Sequence, residues 1–252
     1  MSVLVLRLTG PMQSWGERSR YARRETAAEP SKSAIVGLLA AALGRRRTDA
    51  IEDLAGLIFG VRVDQPGTLL RDFQTARSLD GARTMPLSER YYLSDARFLA
   101  AVEGPESLID GLAGALRDPT FPLYLGRRSC PPSEPIVKQD CIRSGPLLAA
   151  LFDEPWCATK SYRRRVANPA RLSIAVDAAA TEVPARLAKR LTDPEVPQLV
   201  RDHPVSFDPR ARTYGLRSVI RGAVVVDNPD GQRAVSHSGV PAHSPMDELG
   251  SW

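Results

Sequence analysis

The chain has 252 residues, 43% of them hydrophobic and 25% charged, with 34 Lys+Arg against 29 Asp+Glu, a formal charge of +5 and a sequence pI near 9.4. This is a globular composition, long enough for one large domain or two small ones, with no apolar run near the ~20 residues of a membrane span. No basic region precedes the apolar N-terminus, Arg7 interrupts it, and Cys130, Cys141 and Cys157 are odd in number and far apart; a signal peptide, a disulfide framework and a zinc site are disfavoured, and the cytoplasm is the expected compartment.

Residues 2–8 alternate Val3, Val5 and Arg7 with Leu4, Leu6 and Leu8, which predicts a central strand with one face under helices, stopped by Gly10-Pro11. Residues 13–32 are polar and basic and lack a period, so an ordered surface loop is expected. A helix then opens at Pro30-Ser31-Lys32-Ser33 and runs through 34–43, with a serine as N-cap and Gly44 as its C′ residue. Its apolar residues surround it almost completely, so it is expected to be buried. A second helix is read from Asp49, with Glu52 as capping-box partner, Ile51, Leu54, Ala55 and Ile58 on one face, and Gly60 as its end. Strands are expected at 61–63, 68–75 and 89–102, the last bent at Ser94-Asp95, and a third helix at 105–117. This order is most of a βαββαβ unit, in which helices cover one face of an antiparallel sheet and leave the other free. The second half reads as less regular: a glycine-arginine turn within 121–135, a short helix at 146–152, and strands at 171–176 and 219–226. Residues 227–252, rich in Pro, Gly, Ser and His, are expected to be a largely disordered tail.

The sequence is poor in catalytic signals. His203, His237 and His243 all lie toward the C-terminal end, and no phosphate-binding glycine loop precedes Ser31-Lys32-Ser33. No carboxylate cluster suggests a two-metal site. The basic residues are more informative, because Lys32, Lys138, Lys160 and Lys189 are the only lysines among the 34 Lys+Arg, leaving thirty arginines. The planar arginine fork suits phosphates and stacked bases, although coding bias alone can raise the total. Gln13, Trp15 and Tyr21 among Arg18, Arg20, Arg23 and Arg24 fit single-stranded RNA recognition, in which aromatic faces stack on bases; Trp15 after a strand fits a core plug equally well. Gly126-Arg127-Arg128 combines close backbone approach with two cations able to clamp phosphates. Arg45-Arg46-Arg47 and Arg163-Arg164-Arg165 read as general electrostatic surface.

Three blocks go beyond composition. The segments LTGPMQSWG at 8–16 and YLGRRSCP at 124–131 closely resemble signatures of the CasD subunits of type I-E CRISPR Cascade complexes, within the repeat-associated mysterious protein superfamily, and PSKSAIVGLLAAALG at 30–44 resembles that family's first helix. The blocks occur in family order, and the likeness extends over roughly residues 1–226.

The resemblance implies an α+β fold: a ferredoxin-like (RRM-like) βαββαβ palm with a protruding β-hairpin thumb near 74–96 and a less regular C-terminal part. It implies a non-catalytic subunit without cofactor or metal, which holds the 5′ handle of the mature guide RNA and caps the backbone of an antiviral surveillance complex. The implied partners are the guide RNA, the backbone subunit CasC, the large subunit CasA and, through the complex, target DNA, with no membrane. Carried onto this sequence, the implied RNA contacts are Gln13, Ser14, Trp15, Lys32, Ser33, Gly126, Arg127 and Arg128, with Arg83 and Tyr91 on the thumb. The alternative is a metal-independent endoribonuclease that processes repeat RNA, with Tyr21 and Lys32 assisting attack by a 2′-hydroxyl.

Overall fold

The computed structural model describes residues 1–16 and 23–231; Arg18, Arg20, Tyr21, His237 and His243 lie outside the described residues. The elements in chain order are β1 (Ser2–Thr9), β2 (Met12–Gln13), β3 (Arg23–Arg24), α1 (Lys32–Ala42), α2 (Glu52–Ala55), β4 (Ile58–Gln65), β5 (Thr68–Gln74), β6 (Ser88–Ser94), β7 (Arg97–Gly104) and α3 (Glu106–Arg117). There follow β8 (Ile142–Ser144), α4 (Leu147–Asp153), α5 (Lys160–Arg163), β9 (Ala170–Asp177), α6 (Ala185–Ala188), β10 (Gln198–Ser206) and β11 (Thr213–Val226). The fold is α+β. Its main sheet is antiparallel, with strand order β10-β11-β9-β4-β7-β1-β8.

The alternation in β1 decides the two layers. Leu4, Leu6 and Leu8 join Ile35 and Leu39 of α1 and Leu112 of α3 in one core. Val3 and Val5 point the other way and pack with Leu99, Ile174, Leu147 and Leu151. The second face is therefore not free, as the sequence pattern suggested. A sheet apolar on both faces has to be covered on both, and α4 supplies the cover.

α1 begins and ends where its caps demand. The Ser31 side chain accepts from the Ala34 amide, and Gly44 leaves the helix at φ +76, a conformation a glycine adopts without strain. The second helix is shorter than its apolar spacing suggested. α2 stops at Ala55, and Ile58 and Gly60 belong to β4. A Cβ on Gly60 would come within 2.7–2.9 Å of Leu147, Val176 and Leu151 side chains, so glycine is required here by the close approach of α4 to the sheet, not by a helix end. The long strand expected over 89–102 is broken at the predicted place, where Asp95 takes φ +57 between β6 and β7.

β5 and β6 form a hairpin beyond the β4–β7 pair, with its tip at 75–87. β5 pairs along all of β6, and the short β2 and β3 also pair with it. At the other end of the main sheet, β9, β11 and β10 add three strands that the irregular C-terminal sequence only partly announced. Asp227–Gly231 closes the described chain with Asn228 buried, its amide donating to the Arg163 and Val166 carbonyls. Among the described residues no helix is long and apolar enough to cross a membrane.

Arg62 of β4 is fully buried. Its guanidinium donates to both Asp64 oxygens (2.6 and 3.1 Å), to the Leu151 and Glu154 carbonyls at the end of α4 (2.5 and 2.9 Å), and to Pro155 O (3.1 Å). A cation at a helix C-terminus satisfies carbonyls that the helix itself cannot. Asp64 also accepts from the Cys157 amide, and burial, with Asp64 alongside, pushes the Cys157 thiol up to about 11. Arg62→Ala strands a buried carboxylate and three carbonyls, and such a break typically costs about 3–5 kcal/mol. Urea unfolding of Arg62→Ala against the parent is expected to reveal a loss of that order; a loss below about 1 kcal/mol would mean the network is not coupled to folding.

Candidate nucleic-acid interface

The exposed side of α1 forms the floor of a groove of about 1160 Å³. Small residues Ser33, Ala34, Gly37 and Ala41 line the floor. Eight arginines line the groove, from four separate segments: Arg24; Arg45, Arg46 and Arg47; Arg127 and Arg128; and Arg201 and Arg212. Among the described residues, Glu25 is the one acidic residue in this lining. A concave surface with this charge balance focuses a positive potential and attracts a polyanion.

The loop carrying Arg127 and Arg128 is fixed by backbone contacts. Leu125 is buried, its amide takes the Cys130 carbonyl (2.8 Å), and its own carbonyl accepts from the Ser14 amide (3.1 Å). Gly126 follows at φ +91, where a Cβ would stand 1.7 Å from the Ser14 carbonyl oxygen. No side chain fits there. The close approach that a glycine permits is used to seat this loop on the end of β2, which joins the two most distinctive sequence segments into one surface.

Arg127 acts as a brace. Its guanidinium donates to the carbonyls of Tyr91 (3.1 Å), Arg24 (2.8 Å) and Glu25 (3.3 Å) and lies 4.7 Å from the Tyr92 ring centroid. Arg128 is exposed. The guanidinium groups of Arg46, Arg47, Arg128, Arg201 and Arg212 have no carboxylate partner among the described residues, although the Arg46 amide donates to Asp49 (2.7 Å), whereas Arg45 is held by both oxygens of Asp53 at 2.5 Å.

The start of α1 is held by four charges, with Lys32, Asp177 and Asp202 buried and Arg217 largely covered. Lys32 Nζ lies 3.0 Å from Asp177 Oδ2, and the Lys32 amide donates to Asp202 Oδ2 at 2.8 Å. Arg217 donates to Asp202 (2.5 and 2.9 Å) and to Asp177 (2.7 Å). Asp202 thus occupies the position at the helix N-terminus where an external anion would bind.

The model of the family described as CRISPR-associated protein (Cas_Cas5) matches residues 3–220. The chain belongs to the Cas5 family. A curated relative, the CRISPR system Cascade subunit CasD of Escherichia coli (strain K12), is 36% identical over 175 residues, which is 61% of this chain and 78% of the relative. A solved structure described as the crystal structure of a Cas protein superposes with a TM-score of 0.65 at 36% identity, covering 91% of this chain and 97% of the other. A chain of a CRISPR RNA-guided surveillance complex superposes with a TM-score of 0.66 at 28% identity, covering 98% of this chain and 97% of the other. The resemblance read from the three sequence blocks is borne out.

The residues those blocks nominated divide into two groups in this Cas5 chain. Ser14, Ser33, Gly126, Arg127 and Arg128 all line the groove. Gln13, Trp15 and Lys32 are buried beneath it. The Gln13 amide nitrogen donates to Leu8 O (3.0 Å) and Ala96 O (2.7 Å), and its oxygen accepts from Trp15 Nε1 (3.2 Å). The Trp15 ring is fully buried and meets Phe98 edge-on at 6.4 Å. It is the core plug rather than a stacking face. Lys32 is spent on Asp177, so neither its ammonium nor its amide is presented to a ligand. Arg83 is exposed at the hairpin tip, with its amide on Ser78 Oγ (2.9 Å), and Tyr91 is half-buried on β6, its hydroxyl on Glu89 (3.2 Å) and Arg23 5.3 Å from its ring centroid. These two stand on the hairpin and not among the groove residues.

Sequence reasoning passed over Arg46 and Arg47 as general surface and did not select Arg201 and Arg212. The Arg45-Arg46-Arg47 run directly after a buried helix was the available signal. Among the described residues, no group of three or more His, Cys, Asp and Glu side chains converges as a metal site.

His203, on β10, faces Lys32, Asp177, Asp202 and Arg217, and burial, followed by the Lys32 charge, depresses its imidazole pKa. The unfolded chain takes up this proton below about pH 6.5, while the folded Cas5 chain resists it. The unfolded state therefore binds more protons in that range, and the His203 contribution to stability is lost as pH falls through it. Denaturant midpoints measured between pH 7.5 and 5.5, a range estimated from the reference imidazole value, are expected to fall less steeply in His203→Gln; identical slopes would assign the effect to other groups.

Proposed function

We propose that this Cas5-family chain is a non-catalytic Cascade subunit that binds the 5′ handle of the mature guide RNA and caps the backbone of the surveillance complex. The observation that carries this reading is the groove over α1: eight arginines and one glutamate around a floor of small residues. Single-stranded RNA needs a cationic track for its backbone and room for its bases, and a floor of Ser33, Ala34, Gly37 and Ala41 lets a sugar-phosphate chain lie close to the helix. Ser33, the Gly126 backbone and Arg128 are the direct contacts in this reading, and the buried Ser14, with its hydroxyl on the Tyr91 carbonyl at 3.1 Å, lines the groove beside them. Gln13, Trp15, Lys32 and Arg127 hold those contacts in place.

We read the sub-sheet β8-β1-β7-β4 with α1 and α3 as a ferredoxin-like palm, since four antiparallel strands in this order, with two crossover helices, reproduce a βαββαβ unit. The β5–β6 hairpin is then its thumb, carrying Arg83 and Tyr91 as secondary RNA contacts. Its exposed Leu69, Phe73, Leu79 and Met85 suit burial by other subunits, for which CasC and CasA are the proposed partners. Target DNA is reached through the assembly. The endoribonuclease alternative loses one of its two nominated groups, because the Lys32 ammonium is paired with Asp177 inside the protein.

Arg46→Ala, Arg47→Ala and Arg128→Ala combined remove exposed charges without touching the core. The triple variant is expected to weaken binding of handle-bearing RNA and to make the slope of log affinity against log salt shallower by about 2, at roughly 0.7 per phosphate contact. Parental affinity and slope in the folded variant would reject the groove. Purified chain incubated with repeat RNA without divalent metal is expected to leave it intact; cleavage that disappears in Tyr21→Phe would reject the non-catalytic reading.

A further inference from the structure

We propose that the β10–β11 hairpin is a second RNA-binding wall of the groove, in which Arg201 and Arg212 hold two phosphates and Tyr214 stacks on a base. This rests on the RNA-binding reading of the groove and adds a segment that neither the distinctive sequence blocks nor the palm contains. Arg201, Phe207, Arg212 and Tyr214 all line the groove from the side of these added strands.

The wall is close to the floor and firmly held. The Phe207 ring lies over Gly37 of α1, near enough that a Cβ there would touch it at 3.8 Å. Behind it, Asp202 of β10 and Arg217 of β11 belong to the buried charge cluster that grips the start of α1. The connecting turn is ordered by its own bonds: Asp208 Oδ1 accepts from the Arg210 amide (2.8 Å), and the Asp208 carbonyl accepts from the Ala211 amide (3.1 Å). Its arginine is thus presented by a pre-formed turn, which lowers the ordering cost of binding.

The chemistry favours a nucleic-acid strand. Arg201 and Arg212 are exposed and without a carboxylate partner among the described residues, and they share the groove with the arginines of the 126–128 loop and of 45–47 and with a helix that bears no acidic side chain. Cations from several segments around a floor of small residues match a chain with a charge at every residue. The half-buried Tyr214, which lines the groove together with Phe207, supplies the aromatic face that an unstacked base requires. An acidic protein surface needs no such face.

The test uses the full chain, a fluorescently labelled single-stranded RNA derived from the repeat, and a salt titration. Arg201→Ala with Arg212→Ala is expected to bind roughly tenfold more weakly, with the salt slope shallower by about 1.4, corresponding to two phosphates. Tyr214→Ala is expected to weaken binding about fivefold or more with the slope unchanged, and Tyr214→Phe to retain it, because stacking carries no counterion release. Both arginines are exposed, and Arg212→Glu provides a stronger perturbation in the same fold. Parental affinity and slope in the double variant and in Arg212→Glu, alongside weakened binding in the Arg46/Arg47/Arg128 triple variant, would overturn the second wall and point to an acidic protein partner there. Unchanged binding in every variant would overturn the RNA reading of the groove as well.

Discussion

A cluster of four charges at the start of α1 fixes that helix to the strands beside it. Lys32 on the helix, Asp177 on β9, Asp202 on β10 and Arg217 on β11 neutralise one another through hydrogen bonds of 2.5–3.0 Å. Asp177 additionally takes the Phe59 amide of β4 at 2.9 Å. The cluster is balanced, so its net contribution to stability is modest, yet removal of any member leaves a buried charge uncompensated. Its larger effect is geometric. Ladder hydrogen bonds alone leave the angle between helix and sheet loose, whereas a helix N-terminus capped by a carboxylate from β10 has one orientation. The floor of the groove is α1 and one of its walls is the β10–β11 hairpin, so this cluster fixes that wall to the floor.

The periodic parts of the fold were legible in the sequence. The two apolar faces of β1, the Ser31 cap and Gly44 exit of α1, and the break at Asp95 each follow from a local rule that tertiary structure did not oppose. The failures have equally local causes. Ile51, Leu54, Ala55 and Ile58 have helical spacing, but the last belongs to β4, a strand buried on both faces, where alternation disappears. β10 carries Arg201, Asp202, His203 and Pro204, a composition that reads as loop. An edge strand tolerates a proline and charges because one of its sides has no neighbour, and the register shifts around His203 and Pro204 accommodate them.

For the site, the sequence identified the right segments but not which side chains face outward. Gln13, Ser14 and Trp15 are consecutive and all three are buried, and of them only Ser14 lines the groove. A polar residue next to a tryptophan in a basic loop looks like a ligand contact, while its function here is to satisfy the indole N–H and two strand-end carbonyls inside the core. Gly126 was similarly read for a phosphate and is required by a carbonyl of the chain itself. Residues on the far wall were out of reach for a different reason. Arg201 and Arg212 meet the 126–128 loop only after three further strands extend the sheet, and no local pattern records that closure.

The arginine excess acquires two distinct meanings in the structure. Arg62, Arg127 and Arg217 work inward, each directing several donors of one planar group to carbonyls or carboxylates that belong to different segments. A lysine ammonium has three donors at one point and cannot span those acceptors. Arg46, Arg47, Arg128, Arg201 and Arg212 instead line the groove with guanidinium groups that have no carboxylate partner among the described residues. The net charge of +5 hides this division, because Arg62 and Arg217 are matched by buried carboxylates and Arg127 by backbone carbonyls, while the outward five all line the groove. A surface of this kind grips a short polyanion strongly without making the whole molecule adhesive, which suits a protein whose other faces, the apolar hairpin among them, remain available for protein contacts.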